Sequence, residues 1–246
     1  DEEGVFPRRK LRHRSMSTWV QLPRVDDIGD DSVFVFGDGR TPHVSFETTS
    51  VDGEPLRHKD INWYFAGQVT NPRRKRAANG LRRLKDRTPG VLLETAGFTQ
   101  GVDRQEYAEA LGRTWVVPCP GGPATVDTFR FFEALEAGCI PLMDADPYWQ
   151  LLASRTPAPF PIGTAVGEWE TVGGIVEHVL KNRVWWSNRW QNWYLAHMRT
   201  IVRRLRQDIA WCTGRTLDTP TTTAVITVSP SPTHPSTDMV REVIES

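Results

Sequence analysis

The sequence predicts an α/β fold: a Rossmann-like parallel sheet with helices on both faces, a short incomplete N-terminal segment and a disordered C-terminal tail. Three observations carry this expectation. From Asp60 onward, short apolar runs of strand length alternate with segments of helical periodicity, in the order strand, helix, strand, helix, strand, helix, strand. Before Asp60 only fragments of strand pattern appear, too few for a second domain. Beyond Cys212 the composition turns to Thr, Pro and Ser (TPTTTAVITVSPSPTHPST), which cannot bury enough apolar area to offset its ordering entropy.

Each element has a local reason. Residues 1–18 form a basic flexible arm containing RRKLRHR from Arg8 to Arg14, a run read first as a solvated face. Residues 19–59 form a partial segment whose clearest strand is SVFVF, Ser32 to Phe36, closed by the turn-forming GDG. The main domain covers 60–212 and the tail 213–246. INWYFAG (61–67) reads as the first strand of the domain; Asn71 as N-cap and Pro72 at the first helical position then open a helix with Ala77, Leu81 and Leu84 on one face. GVLLET (90–95) is the second strand, and Asp103 with Glu106 reads as a capping box starting a helix that carries Tyr107 and ends at Gly112. RTWVVP (113–118) is the third strand and PGGPAT a tight loop; a helix follows over 127–137, stopped by Gly138, and CIPLM (139–143) is the fourth strand. A further helix is expected within 167–180 and a long amphipathic one over 184–211. On the latter, Trp186, Trp190, Trp193 and His197 follow helical spacing, as an aromatic packing face does, with a sugar-stacking platform as the alternative.

Composition excludes several classes. Thirty basic and thirty acidic residues leave no net charge, which disfavours nucleic acid as the main partner despite Arg8–Arg14 and Arg203–Arg206. No apolar run approaches the roughly 18 residues needed to span a bilayer. Cys119, Cys139 and Cys212 are odd in number and without CxxC or Cys/His spacing, so neither a disulfide framework nor a zinc site is expected, and a cytoplasmic location fits. The chain begins with Asp1, as expected of a processed form or a piece of a longer polypeptide.

Two charges stand out in TVDTFRFFEALEAGCIPLM (125–143). Arg130, Glu133 and Ala137 are spaced by three and four, so they share one helical stripe. In doubly wound sheets ligands lie beyond the carboxyl ends of the strands, where helix N-termini point and favour an anion. Arg130 is placed to fork onto a phosphate, and Glu133, one turn deeper, to accept from vicinal hydroxyls. A second basic helix start, Arg73, Arg74, Lys75 and Arg76 after Asn71–Pro72, suggests a diphosphate cradled between two helices. The bland alternative, an Arg130–Glu133 ion pair on a solvated face, stays open on spacing alone.

The succession FAGQVTNPRRKRAANGLRRL, YAEALGRTWVVPCPGG and DTFRFFEALEAGCIPLM followed by DADPYW resembles the exostosin-like glycosyltransferases, family 47 of the carbohydrate-enzyme classification, over roughly 60–160. The resemblance implies the C-terminal, nucleotide-sugar-binding half of a GT-B enzyme. Activity would be transfer from a nucleoside-diphosphate sugar, inverting and metal-independent, with no further cofactor. The acceptor would be a glycan, a protein or another molecule. It implies Arg74, Arg76 and Arg130 on the donor diphosphate, Glu133 on its ribose or sugar, and a donor loop with Gly121, Gly122, Thr125 and Asp127. Thr114 stands where the family pattern has serine. The general base is not placed; Asp31, Asp38 and His43 are the nearby candidates. Two rivals remain. A non-catalytic nucleotide-sugar or glycan-binding module fits the short N-terminal segment, and DAD at Asp144–Asp146 invites a manganese-binding DxD.

Overall fold

A computed structural model describes residues 18–20, 33–35, 58–95, 101–123, 126–154 and 156–213. The basic run Arg8–Arg14, the base candidates Asp31, Asp38 and His43, the loop residue Thr125 and the Thr/Pro/Ser tail lie outside the described residues. Two compact units are delimited, 1–197 and 198–246. The boundary therefore falls inside the last helix.

Two short strands, β1 (Thr18–Val20) and β2 (Val33–Val35), pair in parallel with Thr18 opposite Val33. The principal sheet has five strands: β3 (Ile61–Gln68), β4 (Val91–Thr95), β5 (Thr114–Cys119), β6 (Ile140–Asp144) and β7 (Ala165–Val166). All neighbours are parallel and the order is β4-β3-β5-β6-β7. Such a sheet is covered on both faces, so its inner strands read as continuous apolar runs. Accordingly Trp63, Tyr64, Phe65 and Ala66 of β3 are all buried, as is every residue of β5. The four sequence-expected strands each lie within one residue of the observed bounds. β7 is the addition, two residues long and too short to leave a periodic signal.

Helices connect the strands: α1 (Pro72–Lys85), α2 (Arg104–Gly112), α3 (Phe129–Glu136), α4 (Tyr148–Ser154), α5 (Val172–Lys181) and α6 (Arg183–Thr213). From β3 the chain moves one way to β4, and afterwards the other way to β5 and β6. Right-handed crossovers then put α1 on one face and α2 and α3 on the opposite face. The reversal makes the gap between the carboxyl ends of β3 and β5 a topological switch point.

Caps follow the expected chemistry. Asn71 Oδ1 accepts from the Arg74 N–H at 2.9 Å, and Asp103 Oδ1 accepts from Gln105 and Glu106 N–H at 2.8 and 3.3 Å. Gly138, at φ 67°, ends the segment after α3 in the left-handed region that glycine adopts without strain. α3 begins two residues later than the sequence predicts, because Asp127 is drawn out of the helix: its Oδ2 accepts from the Tyr148 phenol at 2.7 Å. Gly80 lets α1 approach the 3-10 turn Trp169–Thr171, where a Cβ would run into the Trp169 carbonyl.

The aromatic face of α6 is core. Trp190, Trp193 and His197 are at most 1 % exposed, and Phe131 meets the rings of Trp149, Trp190 and Trp193 at 4.5, 5.6 and 6.2 Å. A sugar could not reach these faces, so the packing alternative is the one realised. Among the described residues no helix is long and apolar enough to cross a membrane.

Candidate functional site

The site is built at the carboxyl edge of the sheet, where α1 and α3 begin. Arg74 is the third residue of α1 and Arg130 the second of α3. Arg130 reaches across the switch point: its Nη2 donates to the Ala66 carbonyl of β3, and its guanidinium lies 4.7 Å from the centre of the Phe65 ring. Gly67 makes this possible, since a Cβ there would collide with Nη2.

The two guanidiniums feel one another. Arg74 is held down to about 10, first by burial and then by the positive charge of Arg130. Burial also leaves donors without partners: Arg74 Nε, Arg130 Nε and, one residue earlier on α1, Arg73 Nη1. Hydrogen-bonding groups removed from water almost always find acceptors, and like charges in a low dielectric repel. A cluster with both defects is electrostatically incomplete, and an anion with several acceptor oxygens would complete it. Thr128 adds to the pattern. It is the N-cap of α3, 7 % exposed, yet its side chain makes no bond to the helix and Oγ1 is buried without a partner.

Arg76 lies elsewhere: it is exposed. The reason is helical phase. Ala77, Ala78, Leu81 and Leu84 form the buried stripe of α1, which Arg74 continues at i+3, i+4 and i+7, whereas Arg76 is 200° away from Arg74. Sequence reasoning named Arg74 and Arg76 as the pair; the buried stripe was the signal that separates them.

One turn below Arg130, Glu133 is buried, and its Oε2 accepts from the Tyr107 phenol at 2.9 Å. Burial, and then the Glu133 charge, push the Tyr107 phenol well up, so it remains a proton donor. Tyr107 was absent from the sequence-derived site residues. Its helix, α2, starts at the same sheet edge, which places its first turns beside those of α3. Cys119, at the end of β5, has its thiol pushed up mainly by burial and donates to the Val117 carbonyl at 3.2 Å, which makes it an inert neighbour.

The loop after β5 is tied on both sides. Gly121 N–H donates to Asp144 Oδ2 at 2.7 Å, and the Gly121 carbonyl accepts from Asn71 Nδ2 at 3.4 Å. These bonds commit the Gly121 backbone to tying the start of α1 to the end of β6; Gly122, next along, is partly buried. Asp127 anchors the loop through Tyr148. Asp144 Oδ1 accepts from Trp169 Nε1 at 2.7 Å, and Asp146 Oδ1 caps α4 by accepting from Tyr148 N–H at 2.9 Å. Asp144 and Asp146 thus fasten neighbouring elements; among the described residues no group of three or more His, Cys, Asp or Glu is gathered.

No protein-family model, curated protein or solved structure matches the chain.

Proposed function

We propose that this chain binds a nucleoside-diphosphate sugar through its diphosphate at Arg74 and Arg130, and transfers the sugar to an acceptor in the manner of the exostosin-like glycosyltransferases its sequence resembles. One observation carries the reading: two mutually repelling guanidiniums with enclosed, unpartnered nitrogens converge over the switch point of a parallel sheet. Arg73 and the amides of the first turn of α1 add donors at the same rim, and Arg76, exposed and off the Arg74 stripe of α1, is left out of it. In the reaction, the bond from the anomeric carbon to the diphosphate oxygen breaks as the acceptor oxygen attacks from the opposite face, which inverts the centre. Charge accumulates on the departing diphosphate. Preorganised guanidiniums and helix dipoles stabilise that charge with little reorganisation, so transfer proceeds without a divalent cation and persists in EDTA. Glu133, oriented by the Tyr107 phenol, accepts from the ribose or sugar hydroxyls of the donor.

Calorimetric titration with inorganic pyrophosphate and with nucleoside diphosphates tests this. A charge-assisted hydrogen bond contributes about 1.5–3 kcal/mol, so Arg74→Ala and Arg130→Ala should each weaken pyrophosphate about tenfold or more. Glu133→Ala should weaken the nucleoside diphosphate about tenfold and leave pyrophosphate nearly unaffected. A wild-type chain that binds none of these probes would overturn the reading. A non-catalytic nucleotide-sugar-binding module would use the same cluster; donor binding with neither hydrolysis nor transfer by the purified chain identifies it.

A further inference from the structure

The N-cap of α3 departs from the usual pattern in a way that points to a ligand. A threonine at this position ordinarily accepts from an N–H of the first turn, which satisfies one of the donors the helix leaves open. Thr128 has the extended backbone of an N-cap, φ −151° and ψ 146°, but makes no such bond. Its Oγ1 is nonetheless buried without a partner. The folded chain therefore carries a dry hydroxyl at a helix start that has no side-chain cap. The Phe131 N–H turns back to the Thr128 carbonyl at 3.0 Å, and the side chain leaves the Phe129 and Arg130 amides to other acceptors. Hydroxyl and helix start both lie within two residues of Arg130, whose Nε is likewise buried without a partner. Phe129, between them, is 37 % exposed at a helix start that otherwise leads into the core.

We propose that Thr128 Oγ1 and the Phe129 and Arg130 amides at the start of α3 seat one phosphate group of the diphosphate, with the Thr128 hydroxyl donating to a phosphate oxygen. The assignment rests on the donor reading given above and adds a residue to it. A tetrahedral phosphate at the helix start accepts from the amides that the side chain has left open and from the hydroxyl itself, so one ligand removes both defects. Arg74 and Arg130 supply the charge; Thr128 supplies position.

The test exploits a sign. In a structural cap, loss of the hydroxyl destabilises the free protein. In a ligand seat left dry until the ligand arrives, Thr128→Val removes a buried unpartnered hydroxyl at nearly constant volume. The unfolding midpoint of the free protein should then stay level or rise, while the dissociation constant for inorganic pyrophosphate should increase roughly tenfold. Thr128→Ser, which keeps the hydroxyl, should retain wild-type affinity. If Thr128→Val leaves pyrophosphate binding unchanged while Arg74→Ala and Arg130→Ala weaken it, the phosphate seat is wrong and the donor reading stands. If Thr128→Val lowers the midpoint and Thr128→Ser restores it with no change in affinity, the residue is an ordinary cap. If the wild-type chain binds no pyrophosphate, the seat and the donor reading fall together.

Discussion

Cations stand at both edges of the same sheet, buried at one and half-buried at the other, and the two edges treat them oppositely. At the amino edge, Lys59 Nζ donates to the carbonyls of Thr114 and Ala137 at 2.7 and 3.0 Å, reaches the Gly112 carbonyl at 3.4 Å, and sits 3.6 Å from Cys139 Sγ. An ammonium has three donors, and here they are used. At the carboxyl edge, Arg74 and Arg130 repel one another and the Nε of each is buried without an acceptor, although Arg130 Nη2 donates to the Ala66 carbonyl. The fold satisfies the cation that fastens strand starts and leaves the pair at the switch point only partly satisfied. An unmet charge at a switch point is the feature that separates a site from a strut.

Matched substitutions would break this comparison most forcefully. Lys59→Met keeps the stem but strips the donors from enclosed carbonyls, and should destabilise the fold by about 4 kcal/mol. Arg74→Met should act in the opposite direction. It removes a guanidinium that burial and Arg130 disfavour, and after allowance for solvent screening should stabilise by about 1 kcal/mol. Denaturant unfolding at neutral pH reads both. Equal destabilisation by the two changes would show that the rim arginines are structural as well.

A third buried group sharpens the criterion. His197 stacks on Trp193 with ring centres 4.8 Å apart, and its Nδ1 lies 3.1 Å from Thr156 Oγ1, while Nε2 has no partner. Burial depresses its pKa from 6.5 to about 4, so the imidazole is neutral across the physiological range. An orphaned atom on a neutral ring inside an aromatic layer does not call for a ligand; the missing ingredient is a cation beside it, such as Thr128 has in Arg130. The sign of the pH effect follows. The unfolded chain takes up a proton first, so stability is complete above about pH 6.5 and declines as pH falls toward 4. The loss attributable to this residue approaches about 3 kcal/mol. His197→Phe should flatten the unfolding midpoint over that window. A wild-type midpoint already flat between pH 6.5 and 4 would refute the assignment.

Much of this architecture was legible in the sequence because the signals were local. Apolar runs in β3, β5 and β6, the Asn71–Pro72 start and the Gly138 stop each depend on a few neighbouring residues. What escaped depended on contacts between distant ones. The start of α3 moved because Tyr148, 21 residues on, claims Asp127. Tyr107 came to Glu133 across 26 residues, through a crossover whose handedness is set but whose side-chain registry is not. Thr128 reads from sequence as an ordinary cap; only the folded backbone reveals that its hydroxyl goes unused. The choice between Arg73, Arg74 and Arg76 was half legible, since the stripe of Ala77, Ala78, Leu81 and Leu84 fixes the helix phase.

The smallest expected effect is also the most local. Gly67 leaves the space that the Arg130 guanidinium occupies on its way to the Ala66 carbonyl, and an added methyl would meet Nη2. The obstacle is the end of a flexible side chain, so Gly67→Ala should displace the guanidinium and scarcely disturb the core. Phe65 would lose its cation and Arg74 part of its neighbouring charge. Unfolding free energy should then change by less than about 1 kcal/mol. Pyrophosphate affinity should fall about tenfold, because a group displaced by even 1 Å no longer meets its phosphate squarely. The paired outcome isolates the rim from the floor: affinity moves and stability does not. If Gly67→Ala instead lowers stability as Lys59→Met does and leaves pyrophosphate binding intact, Arg130 is fastening β3 to α3, and the contrast between the two edges disappears.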